Sequence, residues 1–158
     1  MESFELQTPI GMAVIKGDEQ GISSISLEEK AEFPSVQEIP GPLKEAVDQI
    51  KAYFKGDLKT FNLTLNPKGT DFQQRVWKEL QKIPCGRTVS YLEVANALGD
   101  GKAIRAVAAA NGKNPLWIVI PCHRVIGKDG SLTGYAGGLW RKEWLLNHEH
   151  AVKQQTLF

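Results

Sequence analysis

In V-I-P-C-H-R-V-I-G, residues 119–127, a thiol, an imidazole and a guanidinium stand side by side as Cys122, His123 and Arg124. Cysteine next to histidine points to nucleophilic sulfur, since the thiolate is the attacking form and needs a base or a cation to exist near neutral pH. A free thiol titrates near pH ~8.5, so only about a few per cent is thiolate at neutrality. His123, Arg124 or a water held between them could supply the help. Adjacent side chains in an extended strand point to opposite faces. Cooperation between Cys122 and His123 therefore requires a bend, which Pro121 makes available. A carboxylate would orient the imidazole, and Glu143 and Glu149 in L-W-R-K-E-W-L-L-N-H-E are both candidates. The other cysteine, Cys85 in I-P-C-G-R, has no neighbouring base and reads as structural.

The rest of the chain limits what such a sulfur could attack. Its 158 residues suit one ordinary domain or two small ones, and 42% hydrophobic content with mixed charge describes a soluble globular protein. The longest apolar run, Leu116 to Ile120, is far too short to span a bilayer. The opening M-E-S-F-E-L-Q-T-P carries early acids and no apolar core, so no secretory signal is expected. Two cysteines make no disulfide framework, and a reducing cytosol is the default. No histidine or cysteine precedes Cys85, so no zinc site of the usual kind is expected in the front half. The net charge of +1 hides an asymmetry. Residues 1–67 carry six Lys/Arg against eleven Asp/Glu, and residues 68–158 carry thirteen against seven, giving −5 and +6. A basic back half points to a polyanion; pairing of the two halves is the plain alternative.

The elements that must position the cysteine follow from patterning. F-E-L, M-A-V-I-K, I-S-S-I-S-L and F-N-L-T-L alternate as strands. Pro42 to Lys55 reads as a helix, with Leu43, Val47, Ile50 and Phe54 on one face and Gly56 at the exit. A small antiparallel sheet under one covering helix is the simplest packing for residues 1–67. N-P-K-G links it to residues 68–150. There Thr70 with Gln73 forms a capping box before a helix whose apolar positions are Phe72, Val76, Leu80 and Ile83. Ser90 with Glu93 caps a second helix, Tyr91 to Leu98, and the turn G-D-G-K leads to A-I-R-A-V-A-A-A-N. Two short helices about a glycine-containing turn have the proportions of a helix-turn-helix. The second is almost without bulk, which suits either tight packing in a core or close approach to a nucleic-acid backbone with Arg105 projecting. Residues 151–158 are expected to form a mobile tail outside any element. The fold class is thus α/β (α+β), a small antiparallel sheet domain followed by a mostly helical, winged-helix-like one.

I-P-C-H-R-V-I, preceded by K-N-P-L-W-I-V and followed by G-Y-A-G-G-L-W-R-K-E-W-L-L-N-H-E, closely resembles the O6-alkylguanine-DNA alkyltransferases, densely from Phe72 to Glu149. The front half resembles that family in outline only. The resemblance implies a methylated-DNA–protein-cysteine S-methyltransferase. Such a protein repairs DNA by single, irreversible transfer of an alkyl group from O6-alkylguanine, and from O4-alkylthymine, to Cys122 after base flipping. His123 matches the residue that removes the thiol proton through a water, and Glu149 the carboxylate behind it. Asn114 matches the residue bracing the active-site loop. Tyr91 matches the tyrosine that presses on the target phosphate and donates to the base. Arg105 matches the finger that enters the stack, with Ala106, Ala109 and Arg124 among the DNA contacts. Val125, Tyr135, Ala136 and Gly137 resemble the base pocket. No cofactor and no metal are implied, and the partner is double-stranded DNA met by a cytoplasmic, nucleoid-associated monomer.

The sequence departs from the family's pattern in places. Ala136 stands where some members carry a hydroxyl, so a contact to the guanine oxygen there must come from the backbone N–H. The zinc-binding cysteine and histidine of some N-terminal domains are missing, and a non-catalytic branch has tryptophan where this chain has Cys122. Three rival readings are a lesion sensor that transfers nothing, a cysteine hydrolase, which would need an oxyanion hole, and a helix-turn-helix regulator. An alanine-dominated helix has few side chains with which such a regulator could read bases. Separately, the terminal Q-Q-T-L-F resembles the short peptide by which bacterial DNA enzymes engage the replication sliding clamp, at Gln154, Leu157 and Phe158.

Overall fold

The computed structural model describes residues 1–29, 38–132 and 134–155, and for 151–155 the backbone alone. The chain forms two compact units, residues 1–68 with 115–117 and residues 69–114 with 118–158. Among the described residues no helix is long and apolar enough to cross a membrane.

In the first unit β1 (Glu2–Thr8), β2 (Gly11–Asp18) and β3 (Gly21–Glu28) form an antiparallel meander in the order β1-β2-β3. Thr8 closes the first turn: its hydroxyl donates to the Gly11 carbonyl at 2.7 Å and accepts from the Ile10 N–H at 3.2 Å. Gly21, at φ 136, leaves no room for a Cβ, which would stand 2.8 Å from the Thr64 carbonyl. Pro42 opens a 3₁₀ turn, Gly41–Leu43, that runs into α1 (Lys44–Phe54). Leu43, Ala46, Val47, Ile50 and Tyr53 of this segment share the core with Ile15, Ile22, Ile25 and Leu27 of the sheet. The last turn thus buries Tyr53, whereas the expected core residue Phe54 is only half-buried. Tyr53 also packs on Phe61, with ring centroids 5.5 Å apart.

F-N-L-T-L does not become the expected strand. It makes an isolated parallel bridge, Ile22 with Leu65. The Gln49 amide instead occupies the backbone of Asn62, donating to its carbonyl at 3.0 Å and accepting from its N–H at 2.9 Å. A side chain from α1 therefore satisfies groups that a ladder would have used. Pro115–Trp117 lies beside β3 instead: Ile25 N–H donates to the Pro115 carbonyl at 2.9 Å, and Trp117 N–H to the Ile25 carbonyl at 3.2 Å.

The second unit is helical, as its patterning predicts. α2 (Asp71–Leu80) begins with the full capping box, Gln73 N–H on the Thr70 hydroxyl at 3.1 Å and Thr70 N–H on the Gln73 side chain at 2.9 Å. Ser90 caps α3 (Tyr91–Ala97) through the Glu93 N–H at 3.1 Å. The turn then leads into α4 (Ile104–Gly112). The Trp77 indole, 1% exposed, donates to the Ala110 carbonyl at 2.9 Å and pins α2 to α4. α4 buries Val107, Ala110 and Asn111 and leaves Arg105, Ala106, Ala108 and Ala109 exposed. Tight packing accounts for Ala110 only. β4 (Val89–Ser90) pairs in parallel with β5 (Val125–Ile126), bringing the chain after the cysteine beside the start of α3.

α5 (Leu139–Gln155) inverts the usual distribution. Arg141, Lys142, Leu145 and Glu149 are buried, while Leu139 and Trp140 are 49% and 50% exposed. Residues 151–155, expected to lie outside any element, continue this helix, and 156–158 lie outside the described residues.

Candidate active site

The site grows from the bend at Pro121. Its φ of −80° and ψ of 63° make an inverse γ-turn, in which the Cys122 N–H reaches the Ile120 carbonyl at 2.8 Å. One 3₁₀ turn, Cys122–Arg124, follows and delivers the thiol, imidazole and guanidinium into the interior instead of alternating them as a strand would. Just upstream, the fully buried Ile118 has φ 75°. A β-branched residue rarely adopts that region, at a cost of about 1–3 kcal/mol. Two asparagines brace the turn. Asn114 donates to the Ile120 carbonyl at 2.8 Å and also hydrogen-bonds the Cys122 sulfur. Asn111 donates to the Cys122 carbonyl at 3.4 Å.

Of the two carboxylates in the last helix, Glu149 is 1% exposed and Glu143 lies at the surface. Glu149 meets His123 Nε2 at 2.6 Å through Oε2. It also takes Arg124 Nε at 2.8 Å on Oε1 and Arg124 Nη2 at 2.9 Å on Oε2. Arg124 also donates to the Ile83 carbonyl at 2.6 Å. Burial alone would keep Glu149 protonated, but the charges and hydrogen bonds of His123 and Arg124 hold its carboxyl far below the usual range. It is therefore an acceptor only, and Nε2 of the imidazole carries the proton. Burial lowers the basicity of His123 despite the neighbouring carboxylate, so the ring is neutral. Its Nδ1 is thus a bare base, fully buried and without a hydrogen-bond partner among the described residues.

Burial pushes the Cys122 thiol up to about 11, against the lowering effects of the Asn114 hydrogen bond and the Lys142 charge. At neutral pH about one molecule in ten thousand would hold a thiolate at rest. The site holds a protonated thiol next to a neutral imidazole, so a nucleophilic role for the sulfur would require its deprotonation in the reacting state.

Val125, fully buried, follows the turn directly. Tyr135, Ala136 and Gly137 form a loop closed by the Gly138 N–H on the Tyr135 carbonyl at 2.9 Å. Arg141 fastens it by donating to the Gly137 carbonyl at 2.9 Å. Burial and the neighbouring sulfur keep the Tyr135 phenol well above its ordinary value, hence neutral. Tyr91 is the first residue of α3, and Arg105, Ala106 and Ala109 lie on the exposed side of α4.

One expectation is corrected here. Arg124 was expected among the DNA contacts, but its guanidinium is 5% exposed and donates to Glu149 and to the Ile83 carbonyl. Motif reading also passed over Asn111, Arg141 and Lys142. Asn111 continues the Val107 and Ala110 face of α4, so helical periodicity could have flagged it. No sequence signal marks a lysine as buried. Among the described residues no group of three or more His, Cys, Asp or Glu side chains is arranged to hold a metal. Gln154 lies in α5 by its backbone, while Leu157 and Phe158 lie outside the described residues.

Comparison with known proteins bears on this geometry. Residues 71–151 match the 6-O-methylguanine DNA methyltransferase DNA-binding domain, and residues 5–67 match the ribonuclease-like domain of the same proteins. The methylated-DNA–protein-cysteine methyltransferase of Methanosarcina acetivorans is 47% identical over 90% of this chain and 94% of its own length. The protein of that name from Mycobacterium tuberculosis is 46% identical over 97% and 96% respectively. The crystal structure of Mycobacterium tuberculosis OGT in complex with DNA superposes with a TM-score of 0.87 at 44% identity, covering 96% of this chain and 94% of that one. With both domains matched and relatives this similar over nearly their whole length, the chain belongs to the 6-O-methylguanine DNA methyltransferase family.

Proposed function

We propose that this protein reverses DNA alkylation directly, moving the alkyl group of O6-alkylguanine, and of O4-alkylthymine, onto Cys122 in a single irreversible turnover. One observation carries the reading. A protonated thiol, 4% exposed, lies in the same turn as an imidazole whose Nε2 is fixed on Glu149 and whose Nδ1 is left as a bare base.

The chemistry then balances in one step. The thiol proton passes through a water to His123 Nδ1, and Glu149, itself fixed by Arg124, stabilises the imidazolium. The sulfur forms a bond to the alkyl carbon as the carbon–O6 bond breaks, and that electron pair returns to the guanine. The Tyr91 hydroxyl supplies the proton the departing base needs, and the proton held on His123 returns to Tyr91 through solvent, so the thiol proton ends on the guanine. The product is a thioether, and none of the residues assigned here activates its carbon–sulfur bond toward a second acceptor, so no second turnover follows.

Reaching the lesion requires the nucleotide to be extruded from the duplex at a cost of a few kcal/mol. Arg105 enters the stack in its place and Tyr91 presses on the adjacent phosphate. The exposed methyls of Ala106 and Ala109 let α4 approach the sugar–phosphate backbone closely in the minor groove. Val125, Tyr135 and Gly137 receive the base, with the Ala136 N–H in place of a hydroxyl donor. The basic back half supplies salt-sensitive, sequence-independent affinity. The protein acts as a monomer on cytoplasmic, nucleoid DNA. A second partner, the sliding clamp, is proposed from the sequence Q-Q-T-L-F alone, through Gln154, Leu157 and Phe158; loss of clamp binding on Leu157→Ala with Phe158→Ala is the expected result, and unchanged or absent binding rejects it.

Intact-protein mass after mixing with a duplex bearing one O6-methylguanine tests the central reading. A gain of one methyl group per molecule, absent in Cys122→Ala, is expected. Binding to the lesion with unchanged mass would make the protein a sensor and the mechanism wrong.

A further inference from the structure

Lys142, in the first turn of α5, is 0% exposed, which is unusual for a residue so costly to bury. Its ammonium donates to the Val125 carbonyl at 2.7 Å and to the Gly134 carbonyl at 3.4 Å. Val125 immediately follows the Cys122–Arg124 turn, and Gly134 immediately precedes Tyr135 to Gly137. One side chain therefore ties together the two segments that enclose the sulfur. Arg141 anchors the far end of the same loop at the Gly137 carbonyl. The helix start thus fastens the loop at both ends, through two successive basic residues.

Joining two carbonyls would need only a neutral donor, so the charge calls for a separate reason. Burial of an ammonium costs several kcal/mol unless a developing negative charge or dipoles offset it. Its charge acts on two ionisable groups of the turn, the Cys122 thiol and the His123 imidazole. Glu149 is taken up by His123 and Arg124, and Tyr135 is neutral. Negative charge can newly develop at Cys122, and Lys142 and the sulfur do influence each other electrostatically. Burial brings Lys142 down to about 8, which still leaves it mostly protonated at neutral pH.

We propose that Lys142 is a positioning residue of the acceptor site, which sets the separation of the Val125 and Gly134 segments and supplies the positive charge against which the Cys122 thiolate forms. This rests on the reading of Cys122 as the acceptor.

The test follows the rate of Cys122 alkylation by iodoacetamide at pH 7, where Lys142 is mostly protonated, by peptide mass, with half-exposed Cys85 as the internal reference. In Lys142→Met the Cys122 rate relative to Cys85 should fall about tenfold at pH 7, the scale of a lost neighbouring charge, and the difference should close at higher pH, where the parent's Lys142 has lost its proton. Methyl transfer from the O6-methylguanine duplex should fall about tenfold with DNA affinity kept within about twofold. In Lys142→Arg, which keeps the charge but not the fit to the two carbonyls, the relative Cys122 rate should stay while transfer falls. An unchanged relative rate at pH 7 in Lys142→Met overturns the electrostatic role. Should that variant not fold, Lys142→Arg decides, since transfer at the parent rate, or a lowered relative alkylation rate, overturns the proposal. If the parent protein itself gains no methyl group, the functional reading fails; if it does and the variants behave like it, only the role of Lys142 fails.

Discussion

Replacing Glu149 by Gln tests whether the buried His123–Glu149–Arg124 cluster works as a unit. The carboxylate is 1% exposed and accepts at 2.6, 2.8 and 2.9 Å, and the Arg124 charge it neutralises is 5% exposed. Removing one partner of a buried ion pair costs about 3–5 kcal/mol, because the other charge is left inside. Glutamine retains one acceptor oxygen, so the lower end, about 3 kcal/mol, is the working figure. In a protein of 158 residues each kcal/mol moves Tm by about 2–4 °C, giving a fall of about 6–12 °C. The kinetic effect is separate. The oxygen of the new amide will face Arg124, which turns its NH2 group toward His123 and makes Nε2 the acceptor. The ring proton then moves to Nδ1 and the base is lost, at about a hundredfold or more in rate. Single-turnover methyl transfer, measured well below the lowered Tm, reads this directly. A Tm within 2 °C of the parent and a rate within threefold would refute the reasoning.

The same cluster sets the acid limb of stability. Glu149 is held below its ordinary value, so its contribution is complete above the unfolded pKa near ~4.3 and disappears as pH falls through the folded one. His123, lowered by burial, acts in the same sense from pH ~6.5 downward. The parent should weaken in two stages on acidification, and Glu149→Gln should lack the lower one.

Cys122→Ala should show the opposite sign at high pH. The thiol is raised from 9.0 to about 11, so its neutral form contributes stability that is full below pH 9 and lost by pH 11. The urea-denaturation gap between parent and variant should narrow by about 2–3 kcal/mol across that range, and a constant gap rejects the assignment. Arg105→Ala should slow transfer from duplex DNA by about tenfold or more, a share of the extrusion cost, while reaction with free O6-benzylguanine stays within about twofold; equal loss on both substrates would remove Arg105 from the DNA contact. Trp77→Phe strands the Ala110 carbonyl that the indole serves at 2.9 Å. It should cost about 1–3 kcal/mol by thermal unfolding without altering the transfer rate at low temperature, and an unchanged Tm would show the bond to be energetically idle.

Local chemistry was legible wherever a feature depends on residues within a turn of one another. The capping box at Thr70, the Ser90 cap, the glycine exits and the tight turns joining β1 to β2 and β2 to β3 all belong to this class. So does the bend at Pro121, on which the juxtaposition of Cys122 and His123 depends. The choice between Glu143 and Glu149 needed either the family pattern or the fold, because both lie on one helix. The fate of F-N-L-T-L was not legible, since alternation marks a strand but does not say that Gln49 will claim its backbone groups.

By itself the sequence determined most of the element order and the family, and it singled out Cys122 with His123 as the candidate reacting pair, because these reside in short-range order and in motif spacing. Only the tertiary structure decided which charges are inside. A residue-type rule places Arg124, Arg141, Lys142 and Glu149 at the surface and Leu139 and Trp140 in the core, and the protein does the reverse. Burying such groups is tolerable only when partners 25 and 41 residues away, Glu149 and the Ile83 carbonyl in the case of Arg124, arrive at hydrogen-bonding distance together. That coincidence is a property of the folded chain and not of any segment of it.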